Sequence, residues 1–327
     1  MPDQNNHHTG ISVALPVYNG KEFLRNNIAS VLAQDFENFE LLIADDGSTD
    51  GSQELLRAIE AEGHRKLKVF YQEKNRGLFA NLNFLIAASQ YSLVRLWSQD
   101  DLMKPGCLSE VFAFHEHHPE ISMSYHSVDY IDGQGKFIAD DKIDGTPAII
   151  SPERFAHICI RWGCIAANIA NVTLVKAYLN RFGSFREDLK VSGDFEMWTR
   201  LSQHANIGFL NKKLIYLRRH EGQLSRNVSS SVNSIVEDVP VYHTLINRLE
   251  GREKKNAEMY WKWRVQPMYL NEVISLLRHG ERAYASRGFQ YLQQEFRMST
   301  LVLRWAFVRL LRLLRKDRWF YESLEKK

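Results

Sequence analysis

Carboxylates are the residues of this chain best suited to chemistry, and several come in adjacent pairs. "DDGSTD" (45–50) sets Asp45 beside Asp46, and "WSQDDLMKP" (97–105) sets Asp100 beside Asp101. Neighbouring carboxylates repel, and neither can be buried without a partner. Such a pair is either a solvated turn or the holder of a cation. Taken singly, each pair reads as a turn; two pairs closing successive apolar runs favour a ligand. Hard divalent ions take carboxylate oxygens and share those of a diphosphate. Asp100 and Asp101 could therefore hold Mg²⁺ or Mn²⁺, while Asp46 could accept a hydrogen bond from a nucleobase N–H. Two other readings fail on spacing. A phosphatase loop needs one residue between its acids, and here Gly47 stands where the second acid would be. Neither a P-loop nor a G-x-G-x-x-G is present.

The elements that would position these acids follow from the apolar pattern. "ISVAL" (11–15), "FELLIA" (39–44), "LKVFY" (67–71) and "SLVRLW" (92–97) read as strands. Helical patterns cover 21–33, 52–62 and 78–89 between them, and Ser48, Thr49 or Asp50 is placed to cap the second. Nearly continuous apolar strands alternating with helices predict βαβ units and a mostly parallel sheet covered on both faces. Ligands of such sheets bind beyond the carboxyl ends of the strands. Tyr18-Asn19, Asp45-Asp46 and Asp100-Asp101 all sit there. A further strand is expected within 117–132, loops over 132–150, helices over 152–162, 173–182 and 193–203, and a late strand over 213–219. Beyond about residue 228 the pattern is helical only, with "SRNVSSSVNS" (225–234) as the linker.

Composition narrows the class. The 327 residues are 44% hydrophobic and 25% charged with a formal net charge of +3, an ordinary globular balance that predicts no nucleic-acid partner. Cys107, Cys159 and Cys164 form neither a C-x-x-C metal site nor a disulfide framework. The polar stretch 1–10 is expected to be a disordered tail, and no run has the length of a signal peptide or a membrane span. A cytoplasmic protein is expected.

"ISVALPVYNGKEFLRNNIASVLAQDFENFELLIADDGSTDGS" (11–52) resembles the N-terminal signature of family 2 glycosyltransferases. "NRGLFANLNFLIAAS", "WSQDDLMKPGCL", "GSFREDLKVSGDFEMWTRL" and "YLRRHEGQLS" follow in the family's order, so the resemblance covers roughly 11–225. It implies a GT-A (Rossmann-like) α/β fold over 11–228, and the helical pattern beyond it predicts an all-helical extension over 229–327. It implies a nucleotide-sugar donor, a divalent cation, and inversion at the sugar. Residue by residue, it makes Asp46 the base-binding aspartate, with Asp45 beside it. Pro16, Tyr18 and Asn19 become the wall of the nucleotide loop. Asp100 becomes the final acid of the D-x-D metal motif and Asp101 the acid after it. Asp194 becomes the general base, and His220 a histidine near the metal or diphosphate. Asn75 and Arg76 could approach the diphosphate. Two positions depart from the family: Ser98 replaces the first acid of the metal motif, and Gly193 replaces the acid preceding the base.

A carboxylate within reach of an acceptor hydroxyl can take its proton as the new bond forms, worth about 10²–10⁴-fold in rate. Asp194 also has the place of a helix cap, and both roles can hold together. "HEHH" (115–118) tempts as a metal cluster but stands before Pro119 at a helix end, where exposed polar residues suffice. Trp162 and Asn168 fall where such enzymes form an acceptor floor, although core packing is the stronger reading of Trp162.

In "LVLRWAFVRLLRLLRKDR" (301–318), Arg304, Arg309, Arg312, Arg315, Lys316 and Arg318 fall on about half of a helical wheel. Leu303, Ala306, Phe307, Leu310 and Leu314 take the other side. That pattern fits a helix on an anionic membrane surface, on the inner face of the cell membrane, or one packed against protein; both readings stand. The expected function is transfer of a sugar to a hydroxyl of a glycan or lipid-linked oligosaccharide, as in cell-surface polysaccharide synthesis. The alternative is a degenerate, non-catalytic transferase acting as a scaffold.

Overall fold

The structure, a computed structural model, describes residues 9–140, 145–166, 168–220 and 228–325. Most of the tail expected over 1–10, and residues 221–227 of the linker region, lie outside the described residues. By packing, the chain divides into two compact units. One holds the described residues through Pro152 and from Ala166 to His220; the other holds Glu153–Ile165 with those from Val228 onward. The single stretch expected from sequence over 11–228 took no account of Glu153–Ile165, which packs with the second unit.

The first unit begins with alternating strands and helices: β1 (Ile11–Val17), α1 (Lys21–Leu32), β2 (Phe39–Asp45), α2 (Ser52–Glu60), β3 (Leu67–Tyr71), α3 (Leu78–Ala88) and β4 (Leu93–Leu96). Every residue of β1 is buried, as a strand covered on both faces requires. Helix α1 buries Leu24, Ile28 and Val31, spaced to make one stripe. Next come β5 (Leu102–Met103), α4 (Cys107–His117), β6 (Ile121–Ile131), β7 (Phe137–Asp140) and β8 (Ile149–Ile150). Helix α5 (Pro152–Trp162) passes into the other unit. A 3₁₀ turn (Ile169–Asn171), β9 (Val172–Val175), α6 (Lys176–Phe182), α7 (Gly193–Leu201) and β10 (Asn206–Arg218) complete the first unit.

The ten strands among the described residues form one sheet in the order β3-β2-β1-β4-β9-β6-β10-β5, with β7 on β6 and β8 on β10. The pairs β3–β2, β2–β1, β1–β4 and β6–β10 are parallel. The sheet is thus mostly parallel in its first half and mixed beyond, an α/β fold of the expected class. Strand β2 lies on one side of β1 and β4 on the other, so the connections leave β1 and β4 in opposite directions. That is a topological switch point, where a crevice opens outside the strand ends.

Three expectations are corrected. Val172–Val175 is not the start of a helix but a strand antiparallel to both β4 and β6. The loops over 132–150 contain β7 and β8. The late strand begins at Asn206, seven residues earlier than the pattern at 213 indicates.

The second unit joins α5 to α8 (Val228–Asn247), α9 (Gly251–Tyr260), a π-helical turn (Trp261–Val265), α10 (Gln266–Arg278), α11 (Arg282–Glu295), α12 (Met298–Leu313) and α13 (Asp317–Glu325). Val232, Ile235, Leu270, Val273, Leu292 and Leu301 are among its buried residues. Among the described residues no helix is long and apolar enough to cross a membrane.

Candidate active site

Loops from three strand ends are tied together at the switch point. After β1, Asn19 takes a positive φ of 50°, a conformation asparagine tolerates better than most residues. Its N–H donates to Ser48 Oγ at 2.9 Å, and its Oδ1 accepts from the Thr49 N–H at 2.9 Å. After β4, Gln99 clasps the same loop: Oε1 accepts from the Tyr18 N–H at 2.9 Å and Nε2 donates to the Tyr18 carbonyl at 3.1 Å. Tyr18 is left 47% exposed at the tip, while Pro16 is buried inside β1. Asp50 joins two helix starts, accepting from the Lys21 N–H at 3.0 Å and the Ser52 N–H at 2.9 Å. Of the three capping residues expected, it is Asp50 that receives the first amide of α2.

Asp45 and Asp46 do different work. Asp45 is fully buried; its Oδ1 accepts from the Ser48 N–H at 3.0 Å and from Gln53 Nε2 at 2.7 Å. Asp46 takes the Arg76 N–H on Oδ1 and the Gly77 N–H on Oδ2, each at 2.9 Å. The carboxylate expected to meet a nucleobase therefore also fixes the loop of Asn75 and Arg76, whose side chains are exposed. Asn81 Nδ2 ties α3 back to the Ala44 carbonyl at 2.7 Å.

Asp100 and Asp101 part company as well. Asp100 Oδ2 stands 2.9 Å from His220 Nε2, and its Oδ1 accepts from Ser98 Oγ. The His220 ring packs on Phe23 of α1 with ring centres 5.0 Å apart. Asp101 turns inward: it is buried, and its Oδ1 accepts from the Arg218 N–H at 2.8 Å. Burial, reinforced by the charge of Asp100, holds its carboxyl well above the ordinary carboxylate range. Asp100 and His220 are thus brought together, while Asp101 does not converge with them. Among the described residues, the group gathered closely enough to hold a metal is Glu153, His157 and Glu253, in the second unit.

Asn27, on the buried stripe of α1, holds this acidic loop from beneath. Its Nδ2 donates to the Ser98 and Asp101 carbonyls, both at 2.7 Å, and its Oδ1 accepts from Trp97 Nε1 at 3.0 Å. Arg218 adds a second brace, from Nε to the Asp100 carbonyl at 2.8 Å and from Nη1 to the Asp132 carbonyl at 2.9 Å. Sequence reasoning missed both residues. The signal for Asn27 was a lone polar residue inside an apolar helical stripe.

Asp194 stands in the first turn of α7, half-buried, with its Oδ1 accepting from the Phe195 N–H at 2.7 Å. Its helix is fixed to α3 by packing. A Cβ on Gly193 would lie 2.6 Å from the Phe79 ring, and Phe79 stacks on Phe185 with ring centres 5.2 Å apart. Asn83 pairs with the backbone of Phe185 in both directions, each at 2.9 Å. The base candidate thus rides on a helix packed against α3, and α3 is the helix that begins at the loop Asp46 holds.

Two minor expectations change, and Asn168 is found in a capping role. His115 is not exposed: it is buried, with Nε2 2.8 Å from Ser124 Oγ. Trp162 is 79% exposed rather than packed in a core. Asn168 caps the 3₁₀ turn, its Oδ1 accepting from the Ala170 N–H at 2.7 Å.

Comparison with known proteins bears on the family and the fold. Residues 12–170 match the family model described as glycosyl transferase family 2. An uncharacterized glycosyltransferase of Nostoc sp. is 32% identical over 312 residues, 91% of this chain and 89% of that protein. One of Rickettsia conorii is 28% identical over 227 residues; that match covers 69% of this chain but only 37% of the relative. Among solved structures, S. aureus TarS 1–349 in complex with UDP-GlcNAc superposes with a TM-score of 0.60 at 18% identity, covering 87% of this chain and 92% of that one. The mannosyltransferase PcManGT of Pyrobaculum calidifontis, in complex with GDP-Man and Mn²⁺, does so at 0.54 and 14% identity, covering 99% and 86%. At such identities the structural likeness speaks for the fold alone.

Proposed function

Because this chain belongs to glycosyltransferase family 2, we propose that it is an inverting enzyme moving one sugar from a nucleotide-sugar donor to a hydroxyl of a glycan or lipid-linked oligosaccharide, in the cytoplasm. The observation that carries the reading is the pair Asp100–His220. Two residues 120 apart in sequence meet at 2.9 Å on the rim of the switch-point crevice.

The family implies a divalent cation, and the donor set present fits one. A carboxylate oxygen and an imidazole nitrogen stand side by side, with the Ser98 hydroxyl on the other carboxylate oxygen. Few protein ligands suit Mg²⁺ or Mn²⁺ shared with a diphosphate. Asp100 and His220 would hold the ion, with Asp101 bracing the loop from within. When bound, the ion supplies neutralising charge for the departing diphosphate.

The chain's own residues do the rest. The Tyr18-Asn19 loop and the amides fixed by Asp46 shape the nucleotide's seat, and Asn75 and Arg76 face the diphosphate. The Asp194 carboxylate takes the proton of the acceptor hydroxyl. The acceptor oxygen then bonds to the anomeric carbon from the face opposite the diphosphate. The bond from that carbon to the diphosphate oxygen breaks, its electron pair leaving with the nucleoside diphosphate, and the configuration inverts.

The test is release of nucleoside diphosphate from a panel of UDP-, GDP- and dTDP-sugars with Mn²⁺. Ion-dependent turnover of one donor, lost in Asp100→Ala, supports the reading. Ser98 in place of an acid favours the rival, a non-catalytic scaffold. Donor binding without release, for every sugar and with glycan acceptors present, would establish that rival instead.

A further inference from the structure

Helix α12 turns its apolar side outward. Leu301 and Val308 are buried in the helical unit, and near them Arg304 donates from Nη1 to Gln266 Oε1 at 2.9 Å. The opposite side is exposed, although the Phe307 ring also packs on Trp263 and Phe320. Leu303 is 70% exposed, Leu310 52% and Leu314 55%, with Phe307 between them at 40%. At about 100° per residue these four fall on one stripe. Leu313 and, on α13, Trp319 lie exposed nearby in sequence. A single exposed leucine needs no explanation, but a contiguous stripe marks a surface that something covers.

The charge around the stripe selects the occupant. No acidic residue occurs from Phe296 to Lys316. Arg309 and Arg312 are exposed on the polar side of the helix, and Arg315 and Lys316 just beyond its last turn. A second copy of this face would set cations against cations. Anionic lipid headgroups would meet them with opposite charge, and acyl chains would take the leucines. The long arginine stems can lie along that boundary with their heads at the phosphates.

We propose that the α12 face of Leu303, Phe307, Leu310 and Leu314 inserts into the interface of an anionic bilayer, with Arg309, Arg312, Arg315 and Lys316 at the lipid phosphates. The helix lies along the surface and does not cross it, being amphipathic rather than apolar all round. Binding of this kind does not depend on the transfer chemistry.

The full chain is mixed with vesicles of phosphatidylcholine, with and without phosphatidylglycerol, and sedimented. It should pellet with the anionic vesicles and far less with the neutral ones. Each change among Arg309→Gln, Arg312→Gln and Arg315→Gln should weaken binding about five-fold and flatten its salt dependence. Leu310→Ser with Leu314→Ser should cost about ten-fold per leucine. These side chains are exposed, so thermal unfolding should stay unchanged and separate lost binding from lost folding. Equal binding to both vesicle types, or none to either, overturns the proposal. So does a dimer in sedimentation velocity, without lipid, that the leucine changes dissolve.

Discussion

Gly193 lies so close beneath the Phe79 ring that a Cβ on it would come within 2.6 Å of the ring atoms. The glycine that replaces the family's acid is therefore a packing requirement between the starts of α7 and α3. An ordinary helical glycine gains about 1 kcal/mol on mutation to alanine. Here the sign should reverse: Gly193→Ala should cost about 1–3 kcal/mol, the usual penalty of overpacking. Phe79→Leu should recover much of that loss, and a double-mutant cycle by urea unfolding measures the recovery. Independent, additive effects of the two changes would refute the contact.

Asp194→Asn keeps the shape of the side chain and its acceptor for the Phe195 N–H but cannot take a proton. Turnover should fall about 10²–10⁴-fold. Donor affinity, followed by calorimetry, should hold. Transfer at the parent rate in this variant would remove Asp194 from the mechanism.

Asn27→Ala should be among the more destabilising single changes in α1. It strands the Trp97 N–H and the Ser98 and Asp101 carbonyls, and unpaired buried groups cost about 1–3 kcal/mol each. Some relaxation is expected, so the urea midpoint should report a loss of about 2–4 kcal/mol in all. Turnover should fall further than stability alone explains, because Asp100 sits on the loop released. A loss too small to resolve would mean that the loop stands without this support.

The raised carboxyl of Asp101 gives a pH signature. The folded state holds a proton that the unfolded state has already released, so this group's contribution to stability falls as pH rises. The fall begins near the ordinary aspartate value of about 4 and is complete above the raised one. Asp101→Asn can still accept from the Arg218 N–H and removes the titrating group. The variant should gain stability relative to the parent as pH rises from about 4 toward neutrality. Thermal unfolding across that range checks it; parallel curves for the two proteins would show that Asp101 is not held protonated.

The first half of the fold was legible because β1 to β4 are local apolar runs bounded by turn chemistry. Val172–Val175 was not, because so short a run, Val-Thr-Leu-Val, leading straight into a helix carries no decisive period of its own. Only pairing with β4 and β6, far away in sequence, makes them a strand. At the candidate site, side-by-side acids marked the rim, yet adjacency concealed that Asp101 points into the protein while Asp100 faces His220. Strand and loop geometry send neighbouring side chains in different directions, and only coordinates say which goes where. On α12 the wheel separated the apolar side from the basic one correctly, but Leu301, Val308 and Gln266 decide which side faces the protein.

Helix α5 belongs by packing to the unit built from the chain's last hundred residues, although the stretches on either side of it belong to the other. A protein shortened at residue 228 would keep Phe155, Ala156, Cys159 and Ile160 while losing the helices of their own unit. The orphaned segment would be a sticky strip on the remaining piece. During synthesis, likewise, this helix must wait for the helices from Val228 onward before its unit can close, so removing them is expected to yield aggregation rather than a smaller working enzyme.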